Sequence, residues 1–340
     1  MEFVKRTVLS STFVSKICLH RRKKIFCVYG RRNAYIMNHD LEQLQKYLDE
    51  DDKEEFLSCT FYDLKDKTLL VLAGERGILK IIDLCTGSFY MALKGHGGPI
   101  IDMLHKEVRP NIVFSASSDT TIRMWDLQRA CTLVIFGGLA GHEDVVLSID
   151  ISVDGNYLVS SGTDNSIKVW SIPNITSEVV IKDRAFTPGK YHFGNSEFNY
   201  TDIPVKTNFP IFNSQVLHKA YINCVKFFGN VIISKNISKR LSIVKFKGTY
   251  EIYKNSVDSD VIILKEYKFK EKLIHRFTIF GTTLVVFDEK GNCYTINLSL
   301  CNEPVLAAQI DNVKDASLIN NLLFIVSNNN EVHCYTINKY

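Results

Sequence analysis

The sequence predicts an all-β chain closed into a ring of seven blades, and three observations carry that prediction. Gly95-His96 … Trp125-Asp126 recurs as Gly141-His142 … Trp170-Ser171, so that His96 to His142 spans 46 residues, Asp119 to Asp164 spans 45 and Trp125 to Trp170 spans 45. Within this pair, FSASSDTTIRMWDL (114–127) aligns without a gap to VSSGTDNSIKVWSI (159–172). Weaker copies continue the period on both sides. A period in the forties, with Gly-His near its start and Trp(-Asp) at its end, marks a WD-repeat β-propeller. Seven blades of about 40–45 residues need about 300 residues, and the chain has 340.

Each blade is read from the residue in its Trp position. YGRRNAYIMNHD (29–40) places Met37 there, and AGERGILKIIDL (73–84) places Ile82 there, 45 residues later and 43 before Trp125. Trp125 and Trp170 hold the third and fourth positions. RLSIVKFKG (240–248) supplies Phe246, and two copies of Cys-Tyr-Thr-Ile-Asn, 41 residues apart, supply Ile296 and Ile337. A strand at about Glu2–Val8 is expected to pair with the last blade and close the ring, since closure removes free strand edges. Trp170 to Phe246 is 76 residues, which leaves about 30 more than a blade uses. The surplus is read as an insertion between blades four and five at about 174–205, where Asn, Thr, Pro, Gly and aromatics follow no period. Residues 40–56 carry a competing signal: Leu41, Leu44 and Leu48 stand at helical spacing behind Asp40 as an N-cap. The ring requires an outer strand here, followed by the acidic run Asp49–Glu55 as a solvated loop.

Composition bounds the rest. The 46% hydrophobic and 23% charged content is that of a soluble globular protein with a large core, and a net charge of +4 is too weak to argue for nucleic acid by itself. Nine cysteines, odd in number and scattered with no CxxC, suit buried free thiols in a reducing compartment. There is no apolar run near the 18 residues a membrane span needs, so no membrane partner is expected. The N-terminal basic cluster follows the apolar part, the wrong order for a secretory signal.

Two repeats carry the residues of a buried hydrogen-bonded chain: His96, Ser115, Asp119 and Trp125, and His142, Ser160, Asp164 and Trp170. In each the Asp sits in a tight turn and accepts from the His, while the Trp indole donates to the Ser. A Ser, a His and an Asp also compose a catalytic triad, but two copies at blade spacing read as architecture. No P-loop, Gly-x-Gly-x-x-Gly or HExxH is present, and Gly74-Glu-Arg-Gly77 is a turn. His105, His192, His275 and His333 fit no spacing rule. The residues suggest no catalytic activity, no cofactor and no metal. Lys16–Lys24 (KICLHRRKK) with Arg31 and Arg32 forms a basic N-terminal patch that suits either nucleosomal DNA, an acidic partner or plain solvent.

Two stretches exceed a generic repeat. Phe136-Gly137-Gly138 stands just ahead of Gly141-His142, and residues 206–235 carry Phe209, Pro210, Phe212, His218, Tyr221, Cys224 and Val225 in the order F-P-x-F … H-x-x-Y-x-x-C-V. With these the chain resembles the Polycomb-group extra-sex-combs/embryonic-ectoderm-development family over roughly residues 10–300, and the likeness fades after 250. The resemblance implies a nuclear, noncatalytic scaffold of a Polycomb repressive complex two-type histone H3 lysine-27 methyltransferase. One face would hold a helix of the SET-domain subunit, and other complex subunits and the histone H3 tail are implied as partners. On the other face such proteins carry an aromatic cage for trimethyl-lysine, which works by cation–π attraction. Carried over by position, the cage falls on Phe13, Leu57, Leu273 and Ile274, with Arg276 matching a family arginine. Three of four rings are therefore replaced, and weakened or lost methyl-lysine reading is expected unless Phe56 or Phe277 rebuilds the cage. The alternative function is a generic WD-repeat adaptor for another nuclear or cytoplasmic complex.

Overall fold

A computed structural model describes residues 1–9, 14–64, 67–173, 204–246, 261–273 and 275–337, with Phe246 described by its backbone alone, together with the backbone of Gly189–Phe193 and Ser196–Tyr200. All regular structure among them is β. Seven antiparallel sheets follow one another around a ring. Their innermost strands are Lys16–Leu19, Phe56–Leu64, Ile100–Leu104, Val146–Ile151, Ile222–Phe228, Thr278–Phe280 and Val313–Ile319 for blades one to seven. Blade seven is completed from the other end of the chain: Glu2–Val8 pairs antiparallel with Glu331–Thr336.

Inner strands stand side by side around the axis and do not form a ladder with one another. Their inward N–H and C=O groups therefore need other partners. One device supplies them around the whole ring. In blades two, three, four, five and seven the inner strand carries a β-bulge, ending at Ser58, Asp102, Ser148, Cys224 and Asp315 respectively. A bulge re-aims the side chain that follows it, and each of these side chains reaches the next blade. Ser58 donates to the Ile100 carbonyl at 3.2 Å. Asp102 accepts from Ile149 N–H at 3.0 Å, and Ser148 from Val225 N–H at 3.2 Å. The Cys224 thiol lies 3.7 Å from the Phe277 carbonyl. Asp315 closes the ring by accepting from Ile17 N–H at 3.0 Å. The two remaining junctions use Lys16, which donates to the Leu57 carbonyl, and Thr278, whose hydroxyl accepts from Leu318 N–H at 3.1 Å.

Apolar clusters fill the spaces between adjacent blades. Trp170 packs with Phe114, Phe136 and Ile149 between blades three and four, and Leu273, Phe277 and Leu284 pack with Tyr267 and Ile243 between blades five and six.

The register corrects two of the seven Trp positions. Trp125 is the third residue after the pair Ala116↔Ile122 that closes its turn. The same count from Lys235↔Leu241 gives Val244, not Phe246, and from Val326↔Val332 gives Tyr335, not Ile337. Strand side chains alternate with period two, so a slip of two residues preserves the inward face and the apolar pattern alone does not detect it.

Gln43–Leu48 is a strand paired with Asn33–Asn38; ladder pairing outweighs the helical spacing of its leucines. The excursion after Ser171 returns as two strands. Val205–Thr207 adds in parallel to the outer edge of blade three, Cys131–Phe136, and Phe212–Ser214 forms the outer strand of blade four. It thus leaves and re-enters within blade four, and Gly189–Phe193 pairs with Ser196–Tyr200 along it. Residues 174–188, 194–195 and 201–203 of that excursion lie outside the described residues.

The acidic run is a solvated loop only in part: Glu50, Asp52 and Lys53 are exposed. Asp49 and Glu54 are buried, and both bind the Lys80 ammonium, at 2.7 and 3.0 Å. Asp51 pairs with Arg76 at 2.5 Å. Burial pushes the Glu54 carboxyl up from its usual range, opposed by Lys80.

Replacing Asp315 by Ala leaves Ile17 N–H without its acceptor at the junction that closes the ring. An unpaired buried donor costs about 1–3 kcal/mol, so Asp315→Ala is expected to lower the urea unfolding free energy by that amount. The exposed Asp311→Ala serves as a control expected to stay within about 0.5 kcal/mol of the parent.

Candidate functional site

The seven inner strands enclose a central channel with a cavity of about 1450 Å³. One mouth lies where the inner strands begin and the other where they end.

At the first mouth, charged side chains cross the channel. Arg276, just ahead of the inner strand of blade six, reaches Asp102 of blade three at 2.7 Å and the Leu147 carbonyl of blade four. Burial works against the Arg276 charge, but Asp102 and the other nearby acidic groups together outweigh it, and the guanidinium is held firmly protonated. Burial, then the nearby Arg276, lowers the Lys16 amine to about 8. Burial raises the Asp315 carboxyl. His275 is bonded to the Lys314 carbonyl at 2.8 Å. In the wall behind, Lys235 donates to the Leu273 carbonyl at 2.6 Å, and burial lowers its amine to about 7.

Of the four positions carried over for a cage, the two described ones do not line the cavity. Phe13 and Ile274 lie outside the described residues. Leu57 is half-buried at the start of the blade-two inner strand and is not among the residues lining the cavity. Leu273 is fully buried in the cluster between blades five and six. Phe56 is likewise fully buried, in the cluster between blades one and two. Phe277 borders the cavity but is only 3% exposed. Among the described residues, no set of rings surrounds a cation position.

The two tetrads are complete chains of donors. Trp125 Nε1 donates to Ser115 Oγ at 2.7 Å; Ser115 Oγ lies 2.7 Å from His96 Nε2; His96 Nδ1 lies 2.8 Å from Asp119 Oδ2. The second copy repeats this at 2.9, 2.7 and 2.8 Å through Trp170, Ser160, His142 and Asp164. Turn backbone and hydroxyls complete each carboxylate: Gly97 N–H and Thr121 for Asp119, Ser166 for Asp164. Burial opposes ionisation of both carboxyls, but the histidine bonds outweigh it and hold them well below the usual range. Ser115 and Ser160 are wholly buried, with each hydroxyl oxygen already taken by an indole N–H. Neither can attack a substrate, which separates these tetrads from a hydrolytic triad.

Blade five keeps half of such a chain, which the sequence reading missed. His218 Nε2 lies 2.8 Å from Ser234 Oγ, while its Nδ1 has no partner among the described residues. Burial, then Arg240 and Lys235, lowers His218 to about 4. A His sixteen residues before a strand serine, close to the spacing in the intact blades, is the signal that could have found it.

The basic N-terminal patch is a built turn. His20 Nδ1 accepts from the backbone N–H groups of Arg22 and Lys23, both at 3.1 Å, and His20 Nε2 lies 3.1 Å from Asp63. Arg22 pairs with Glu107 of blade three and Lys23 with Asp63 of blade two. The patch is thereby fixed at the second channel mouth.

A family model, WD domain, G-beta repeat, matches residues 87–126 and 133–171. The chain is 31% identical over 270 residues to the Polycomb protein esc of Drosophila melanogaster, covering 76% of this chain and 61% of that protein. It is 28% identical over 292 residues to the Polycomb group protein FIE1 of Oryza sativa subsp. japonica, covering 84% and 59%. The relatives it matches are Polycomb proteins of the esc/FIE group. It spans 59% and 61% of the length of these two relatives. Its fold matches a chain in the Chaetomium thermophilum Polycomb Repressive Complex 2 bound to GSK126, at TM-score 0.80 and 16% identity over 98% of each chain. It also matches the WD40 propeller of Doa1, at TM-score 0.72 and 13% identity over 99% of this chain and 97% of that one. The esc/FIE family and the seven-bladed ring are those expected from the repeats and from the segment at 206–235.

Burial lowers seven imidazoles, those of His20, His39, His96, His105, His142, His218 and His275. The unfolded chain takes up protons below about pH 6.5, the ordinary imidazole value, whereas the folded chain does so only at lower pH. The stability these groups contribute is present above that value and is lost as pH falls below it. Urea midpoints are expected to fall already from pH 8 to 7, where the unfolded chain holds protons on Lys16 and Lys235 that the folded chain has partly released, and to keep falling from pH 6.5 downward. His218→Asn should flatten that slope by up to about 1.4 kcal/mol per pH unit above pH 4.

Proposed function

We propose that the chain is a noncatalytic scaffold and regulatory subunit of a Polycomb repressive complex two-type histone H3 lysine-27 methyltransferase, working in the nucleus. The observation that carries this reading is that the esc/FIE relationship extends across the central repeats and the 206–235 segment on an intact seven-bladed ring. The mechanism is presentation. A ring clasped at all seven junctions offers rigid faces, and a helix of the SET-domain subunit lies in a groove on one of them. Other Polycomb subunits complete the assembly.

We further propose that the chain does not read trimethyl-lysine. Leu57 and Leu273 replace ring positions, and the mouth beside them holds the Arg276 and Lys16 cations. Each missing ring contact forfeits about 0.5–2 kcal/mol, and like charge opposes an incoming quaternary ammonium.

Affinity purification of the tagged chain from its own cells tests the first statement. Copurification of a SET-domain methyltransferase and a second Polycomb-type subunit is the expected result; their absence, with a different stable set of partners, supports the generic adaptor instead. Calorimetric titration with an H3 peptide trimethylated at lysine 27 tests the second. No saturation is expected up to about 1 mM, and a Kd near 10 μM or tighter overturns it.

A further inference from the structure

We propose that Ser238 is a phosphorylation site, and that the phosphate it gains stands in for the carboxylate missing from the blade-five tetrad. The inference is independent of the methyltransferase reading. It rests on the turn between Val231–Asn236 and Arg240–Phe246.

The register fixes the correspondence. Ser115↔Arg123 brackets the blade-three turn and Ser234↔Ser242 the blade-five turn, with the same number of residues between. Asp119 and Asp164 each stand four residues beyond their tetrad serine, and the same count from Ser234 reaches Ser238. The start of the turn also matches: Asp119 N–H donates to Ser117 Oγ at 3.1 Å, and Ser238 N–H to Asn236 Oδ1 at 3.1 Å. His218 meets its serine through Nε2, as His96 and His142 do. In those two blades Nδ1 holds the carboxylate. In blade five Nδ1 has no partner among the described residues, although His218 is only 2% exposed. A buried polar atom left unpaired is costly, so an acid supplied at this place is favoured.

Charge points the same way. Asp119 acts on His96 and Asp164 on His142, whereas the charges that reach His218 are those of Arg240 and Lys235. Arg240 is shared with Glu266 at 3.2 Å, Lys235 is bonded to the Leu273 carbonyl, and Lys239 to the Lys270 carbonyl. A phosphoserine brings about −1.5 to −2 charge and three acceptor oxygens into this basic setting, where imidazole and guanidinium donors make charge-assisted bonds. Ser238 is half-buried, and the exposed Lys239 and Arg240 that follow it suit a protein kinase with an acidic substrate groove. In the step itself Ser238 Oγ attacks the γ-phosphorus of a nucleoside triphosphate. The bond to the β–γ bridging oxygen breaks and the diphosphate leaves. The hydroxyl proton, now donated to Asn236 Oδ1 at 2.7 Å, passes to the kinase's base.

The test compares the full chain carrying phosphoserine at position 238 with the unmodified chain, Ser238→Asp and Ser238→Ala. NMR titration of His218 reads the contact. Phosphoserine and Ser238→Asp should each raise the proton affinity of His218 at least about ten-fold and the thermal midpoint by at least about 1 °C. Ser238→Ala should do neither, and His218→Asn should abolish the gain in midpoint. Phosphopeptide mapping of the chain from its own cells, with phosphatases inhibited, should find phosphate on Ser238. An unshifted His218 in the phosphoserine chain overturns the proposal, even where Ser238→Asp does not fold. A midpoint gain that survives His218→Asn also overturns it, since the phosphate then acts on Arg240 or Lys239 instead. So does a mapped turn that carries no phosphate in cells, because the position then accepts an acid without being modified.

Discussion

The interaction on which this structure depends is the clasp from each inner strand to the next. A propeller places its innermost strands radially, so they cannot satisfy one another through a ladder as strands within a blade do. Here the junctions are closed by side chains, and in five of seven the side chain follows a β-bulge. The chemistry is interchangeable: carboxylates at Asp102 and Asp315, hydroxyls at Ser58, Ser148 and Thr278, a thiol at Cys224 and an ammonium at Lys16. What the ring requires is a polar atom at that place, as donor or acceptor according to which backbone group faces it. The clasps also set the channel's electrostatics. They bring Asp102, Asp315 and Lys16 into a half-buried space, where desolvation raises Asp315 and lowers Lys16.

The blades are not equally anchored. Blades three and four have full tetrads, an indole-to-carboxylate chain within each and Phe136 edge-on to Trp170 between them. Blade three is widened by the parallel strand Val205–Thr207, which covers its outer edge. Blade five keeps only His218–Ser234, with Val244 where a tryptophan would donate. Elsewhere the tetrad gives way to aliphatic packing, such as Ile82 between blades one and two. Fully satisfied polar chains fix geometry, whereas apolar substitutes keep the burial and release the directional constraint. The repeat signature fades for this reason while the ring persists.

This difference decides how much could be read from the sequence. His96, Asp119 and Trp125 with their copies are legible because a tetrad tolerates few residue types, so fold and blade count followed from two repeats and their period. Phe246 and Ile337 were placed two residues off because apolar alternation is blind to a shift of two. The clasps were invisible, since four chemistries serve one role. The acidic run was misread in part because its partners, Lys80 and Arg76, lie two strands away in sequence and meet it only in the folded blade. The basic turn was ambiguous for the same reason: Asp63 and Glu107, which pin it, belong to other blades.

The two mouths of the channel differ in a way that bears on function. At the mouth where a methyl-lysine reader needs rings, Arg276 spans from blade six to blades three and four, and its guanidinium is matched by Asp102. That charge pair is internally balanced, and it joins blades that are not sequence neighbours. An incoming cation would meet Arg276 and Lys16, with Asp102 already bonded to Arg276 and Asp315 to Ile17 N–H. At the other mouth Arg22 is paired with Glu107 and Lys106 with Asp150, and Lys226 also acts on Asp150. A ring whose relatives are Polycomb proteins thus uses its polar interior to hold blades together at both ends of the channel, through Arg276 and Asp102 at one and through Lys106 and Asp150 at the other.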